Sequence, residues 1–165
     1  MTKRPNEVLL VDDDHAVRKM MQKVLVKAGL NVEAVEKASE ALEILKRGRR
    51  FEAIVTDLMM PEMDGMQLLR FVRQLDLDVP MIIVTGNPTL ESAIMAMEYG
   101  GFRYLPKPVE NQRLVEVVKE SAMQHRISLV KLKALDFDGA AAPFTTALQL
   151  ATQPALALFY VGQVN

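Results

Sequence analysis

A doubly wound α/β fold, built on one five-stranded parallel sheet and lengthened by a C-terminal helix, is the architecture this sequence predicts. Three observations point to it. Short, continuously apolar runs such as Val8-Leu-Leu-Val11 and Met81-Ile-Ile-Val84 read as strands buried on both faces. Between them, apolar residues return at helical spacing, with cap residues before and glycines after. Five such strands alternate with five such helices, which implies right-handed crossovers and helices on both faces of the sheet.

The first strand, 8–11, runs straight into Asp12-Asp13-Asp14. Asp14 is the expected N-cap of a helix carrying Val17, Met20, Met21, Val24, Leu25 and Ala28, and Gly29 is its stop. A second strand at 32–35 and a helix at 39–46 follow, closed by the basic run 46–50, whose cations are expected to lie solvated at a helix C-terminus. The third strand ends at Asp57, a carboxylate expected at the strand tip, at the surface; the turn-forming segment 58–65 comes next. Asp64 and Gly65 open a helix with Met66, Leu69 and Val72 on one face. The fourth strand, 80–85, is followed by Asn87-Pro88, read as an N-cap with proline at the first helical position, and Gly100-Gly101 ends that helix. The fifth strand spans 102–105, Lys107-Pro108 follows, and Asn111 caps the last helix, with Leu114, Val117 and Val118 inward.

Composition narrows the chemistry. The chain has 165 residues, half of them hydrophobic, enough for one domain and an appendage. It has no cysteine, so disulfides, thiolate metal sites and cysteine nucleophiles are excluded. A net charge of -1 gives no general attraction to nucleic acid or anionic membrane, and no direct nucleic-acid or membrane partner is expected. The first residues lack a signal-peptide core and no run is long enough for a membrane span, so a cytoplasmic protein is expected.

In an open α/β sheet, function lies at the carboxyl ends of the strands. Asp12, Asp13, Asp57, Thr85 and Lys107 all fall there. Carboxylates brought together raise one another's pKa unless a cation intervenes. Oxygen donors without His or Cys select a hard divalent ion, magnesium first and manganese second. An Asp beside such an ion can attack phosphorus to give an aspartyl phosphate, while the metal and the Lys107 ammonium neutralise the charge on the phosphoryl oxygens. The Thr85 hydroxyl is placed to hydrogen-bond one of those oxygens, and Gly86 leaves the approach open.

Val11-Asp-Asp13, Thr56-Asp-Leu-Met-Met-Pro-Glu-Met-Asp-Gly65, Val84-Thr-Gly86 and Tyr104-Leu-Pro-Lys-Pro108 together resemble the receiver domain of bacterial two-component response regulators, over residues 5–125. The resemblance implies the flavodoxin-like strand order 2-1-3-4-5 and a phosphoryl group accepted on Asp57 from a sensor histidine kinase or phosphotransfer protein. It further implies magnesium bound directly by Asp13 and Asp57, by Asp12 through water, and by the backbone carbonyl of Met59. Thr85 and Tyr104 would form the switch pair, and Lys107-Pro108 a cis peptide that aims the lysine into the site. Such a module acts catalytically only on its own Asp and controls an output domain or partner.

Two alternatives stand beside it. Asp12 and Asp14 spell the Asp-x-Asp of haloacid-dehalogenase-like phosphatases, an Asp-nucleophile family, although the remaining motifs match the receiver far better. A non-phosphorylated interaction scaffold is weakened by the complete set of site residues. The domain limits expected are a receiver at 1–124, a linker helix and turn at 125–143 and a tail at 144–165. Val118, Ala122, His125, Leu129 and Leu132 carry a helical stripe beyond the receiver, suited to pairing with a second copy, with His125 a linker residue. The turn-forming run 136–143 breaks that helix. The segment 158–164 resembles the opening strand of an EAL-type cyclic-di-GMP phosphodiesterase, as a truncated output-domain remnant or a surface that docks on a partner or second copy.

Overall fold

The computed structural model describes residues 6–137 apart from 76 and 102, so the tail at 144–165 and its phosphodiesterase-like strand lie outside the described residues. Among the described residues ten elements alternate: β1 (Glu7–Val11), α1 (His15–Lys27), β2 (Asn31–Val35), α2 (Ala38–Lys46), β3 (Ala53–Asp57), α3 (Gly65–Gln74), β4 (Met81–Thr85), α4 (Leu90–Glu98), β5 (Arg103–Pro106) and α5 (Asn111–Phe137). All strand pairings are parallel, in the order β2-β1-β3-β4-β5. The chain divides into two compact units, 1–130 and 131–165. The first holds the sheet; of the second, the described residues are the last turns of α5.

Strand side chains alternate between two cores because successive residues point to opposite faces. Leu9, Val11, Ile54, Met81 and Ile83 pack with α2 and α3 residues including Leu42, Leu68, Leu69 and Val72. Val8, Leu10, Val55, Ile82 and Val84 pack with Met21 and Leu25 of α1 and Leu114, Val117 and Val118 of α5. Residues of both β3 and β4 are buried throughout, as a strand covered by helices on both sides requires.

Local signals explain most boundaries. The Asp14 carboxylate accepts from the N–H groups of Ala16 and Val17, and Gly29 takes a positive φ just past α1. Asp64 and Gln67 form a reciprocal capping box on α3. Two expected caps move. α4 is capped by Thr89, whose hydroxyl accepts from Ser92 while Ser92 answers the Thr89 N–H, because this reciprocal pair satisfies more donors than Asn87-Pro88 can. At α5 the Glu110 carbonyl takes the Leu114 N–H, so Asn111 is the first helical residue and not the cap.

The basic run closing α2 is more engaged than a solvated face. Arg49 pairs with Glu33 at 2.8 Å and Glu7 at 3.4 Å and lies over the Phe51 ring, while Arg50 donates to the Leu45 carbonyl. Arg73 is a second staple: it donates to the carbonyls of Leu77, Val79 and Gly100, tying the end of α3 to the loops before β4 and β5. Finally, α5 runs unbroken through position 124 to Phe137. No helix among the described residues is long and apolar enough to cross a membrane.

Candidate functional site

The strand order reverses direction at β1, so the loops after β1 and β3 diverge and leave a crevice at their carboxyl ends. The structure brings Asp12, Asp13 and Asp57 together there, with carboxylate oxygens all within 4.8 Å of one another. Lys107, delivered by the loop after β5, reaches both buried acids: its Nζ lies 2.8 Å from Asp57 Oδ2 and 2.9 Å from Asp12 Oδ2. The Lys107-Pro108 peptide is cis.

Each carboxylate is oriented by the backbone around it. Asp12 is fully buried, and its other oxygen accepts the Asp14 N–H at 2.9 Å. Asp57 Oδ1 accepts the Met59 N–H at 3.2 Å. Asp57 was expected at the surface, yet it is only 7% exposed. It ends the buried β3, and its two oxygens are taken by Lys107 and by the turn that begins at Leu58. That turn folds back tightly, with the Gly65 N–H on the Leu58 carbonyl. A Cβ at Gly65 would collide with the Asp57 carbonyl oxygen, so the glycine is required by the close approach of α3 to the site. Asp13 is the most open of the three acids.

Burial pushes the Asp12 carboxyl above its ordinary value, against the lowering effect of Lys107. Burial acts on the Lys107 ammonium in the opposite sense, but the hydrogen bonds to Asp57 and Asp12 outweigh it and its pKa is raised. The resting site is therefore a set of clustered acids held together by one ammonium, with desolvation working against the anions.

Thr85 ends β4 fully buried; its hydroxyl accepts the Asn87 N–H, and its carbonyl accepts the Lys107 N–H at 2.7 Å. Tyr104 on β5 is half-buried, and its hydroxyl meets Ser92 Oγ at 2.6 Å. Ser92 is the return arm of the α4 capping box, so Tyr104 is bonded to the helix cap itself. Sequence reasoning missed this partner, and Thr89-x-x-Ser92 is the signal that could have found it. It also missed Arg18, which donates to the Asp12 carbonyl at 2.5 Å and pairs with Glu36 at 3.6 Å, bracing the acidic loop.

The family model for the response regulator receiver domain matches residues 8–119. The chain belongs to the response regulator receiver family. Among curated relatives, it is 39% identical over 121 residues to the C4-dicarboxylate transport transcriptional regulatory protein DctD of Rhizobium meliloti, a match covering 73% of this chain and 26% of that protein. It is 36% identical over 118 residues to the DNA-binding transcriptional regulator NtrC of Escherichia coli K12, covering 72% and 25%. The chain thus spans about a quarter of the length of these relatives. A solved CheY-like receiver from Methanospirillum hungatei superposes with a TM-score of 0.71 at 29% identity, covering 74% of this chain and 98% of that one. The receiver's five-stranded parallel sheet with five helices is the fold described above. It is a response regulator receiver domain of the two-component systems. The expectation of no nucleic-acid partner finds no support among these relatives, which are named as transcriptional regulators.

Proposed function

We propose that Asp57 is the phosphoacceptor, taking a phosphoryl group from the phosphohistidine of a sensor kinase or phosphotransfer protein. The P–N bond of the donor breaks as a bond forms between phosphorus and an Asp57 carboxylate oxygen. The observation that carries the reading is the geometry of Lys107 against Asp57: a single ammonium already lies 2.8 Å from the carboxylate that would receive negative charge.

The donor set fits magnesium, with manganese as substitute: only oxygens converge, two of the acids are buried, and burial penalises Asp12 as an anion in the absence of added positive charge. Asp13 and Asp57 would hold the ion directly, Asp12 through water, and the Met59 carbonyl would complete the protein ligands. When bound, the ion neutralises phosphoryl oxygens and orients the incoming group. Asp12 fixes Lys107, Met59 N–H fixes Asp57, and Thr85 is the hydroxyl that would move to the phosphoryl group while Tyr104 leaves Ser92 and turns inward.

In this reading the chain catalyses only its own phosphorylation and dephosphorylation, in the cytoplasm, as a receiver at 1–124 followed by a linker at 125–143 and a tail at 144–165. It acts on an output domain or partner and associates with a second copy through its last helices. Intact mass after incubation with acetyl phosphate and magnesium tests the core of the proposal. One added phosphoryl group, absent from Asp57→Asn, is expected; undiminished labelling of that variant moves the nucleophile elsewhere.

A further inference from the structure

Asp13 is the most open of the clustered acids, yet the backbone that carries it is fixed on both sides. The peptide unit entering it is held by Arg18, whose Nη1 donates to the Asp12 carbonyl at 2.5 Å. The unit leaving it is held by the Asp12 carboxylate, which accepts the Asp14 N–H at 2.9 Å. Arg18 also takes the far end of the loop, because its own backbone N–H donates to the Asp14 carbonyl at 2.8 Å. One residue therefore grips the acidic tripeptide at both ends.

The guanidinium is itself anchored. Its Nη2 lies 3.6 Å from Glu36, in the loop after β2, and 3.3 Å from His15 Nδ1, and the side chain is 13% exposed. Holding two directions at once is what a planar fork provides and a lysine ammonium does not. These contacts go to a carbonyl, to Glu36 and to His15, while the cation paired with the cluster's buried carboxylates is Lys107. Charge and position then act in opposite senses on a divalent ion: the charge of Arg18 repels it, and the bonds of Arg18 hold an acid where the ion can meet it.

We propose that Arg18 is a positioning residue for magnesium, acting through the backbone on either side of Asp13 to hold that acid at the site. This rests on the reading that the acid cluster binds magnesium. The two contributions separate by sign. Removing a cation alone tightens magnesium binding, whereas removing a support loosens it.

Magnesium titration of the full chain without phosphodonor, followed by the amide signals of residues 12–14 and 57–59, tests it. The wild type is expected to saturate, and Arg18→Met to bind about tenfold more weakly, the scale on which outer partners of metal ligands act. Arg18→Lys keeps the charge and one donor, and is expected to fall between them. Labelling with acetyl phosphate adds a second readout: Arg18→Met should need about tenfold more magnesium to reach half its maximal rate, yet come within about threefold of the wild-type rate at saturation. Denaturation midpoints show which variants are folded, and should the methionine variant fail to fold, wild-type affinity in Arg18→Lys overturns the proposal. A folded methionine variant that binds magnesium as tightly as the wild type, or more tightly, overturns the positioning role and leaves magnesium at the site. So does a lowered maximal rate with an unchanged half-saturating concentration. A wild type without saturable shifts overturns the magnesium reading itself, and the role of Arg18 with it.

Discussion

Replacing Lys107 by methionine keeps the stem's volume and removes the ammonium, and the structure says what that costs. Asp12 is fully buried and Asp57 is only 7% exposed, and each has lost its one cationic partner. Removing one member of a buried ion pair costs about 3–5 kcal/mol; the Lys107 side chain is 21% exposed and each acid keeps a backbone N–H, so we expect about 2–3 kcal/mol at pH 7 without metal. For a domain of this size that is a fall in Tm of roughly 6–12 °C.

The pH dependence fixes the cause. Asp12 titrates higher in the folded than in the unfolded chain, so across that interval the folded state holds more protons and its stability rises as pH falls. Without the ammonium this interval widens upward. The stability gap between variant and wild type should therefore be largest near neutrality and narrow on acidification into the carboxylate range. The Lys107 contribution is present below the unfolded lysine pKa and is lost only on the alkaline side, outside that window. Magnesium should close the gap as well, since a divalent cation replaces the missing charge. The assay is urea denaturation at pH 7 and pH 5, with and without magnesium. A midpoint unchanged at pH 7, or a gap of equal size at both pH values, refutes the claim that Lys107 compensates buried anions.

Three further outcomes follow from the same geometry. Asp13→Ala should lower magnesium affinity at least tenfold or so, because even outer-shell partners of metal ligands are worth about that much; an unchanged titration removes Asp13 from the ligand set. Gly65→Ala should destabilise by about 2 kcal/mol or more, as the new methyl meets backbone at Asp57, and an unaltered denaturation midpoint would contradict that packing. Asp64→Ala should cost about 1 kcal/mol through the lost α3 capping box, read from the same midpoint; a neutral effect would show that the cap adds nothing here.

Elements were legible in the sequence wherever a local rule decided them. Val8 to Val11 and Met81 to Val84 read as two-face-buried strands because parallel sheets leave no polar face, and Asp14, Gly29 and Asp64 announced helix ends through chemistry confined to a few residues. The α4 cap was misplaced because Asn87-Pro88 and Thr89-x-x-Ser92 compete within a few positions, and the reciprocal Thr89–Ser92 pair, which Tyr104 of β5 also meets, satisfies more donors. The depth of Asp57 was misjudged for a similar reason: its own segment ends in a turn rich in surface formers, while the groups that cover it come from fifty residues away. Arg18 and Arg73 were invisible as staples because their acceptors are backbone carbonyls, which no residue type advertises.

Burial of Asp57 also bears on how a change there can reach the surface. Lys107 is bonded to Asp57 on one side and, through its N–H, to the end of β4 at Thr85 on the other. Three residues before Lys107, on β5, Tyr104 is bonded to the cap of α4. New negative charge on Asp57 alters the balance that now holds the half-buried Lys107 between two acids, and a shift of that ammonium is expected to pull on the loop that carries it. That loop continues β5, and the only hydroxyl contact tying β5 to α4 among the described residues is Tyr104 to Ser92. Ser92→Ala separates the two roles of that contact. If Tyr104 restrains α4, the variant should shift α4 amide signals in the unphosphorylated protein toward those of the phosphorylated wild type. If Ser92 serves only the cap, the shifts should stay within the first turn of α4 and be indifferent to phosphorylation, and the route from Asp57 through Tyr104 would be wrong.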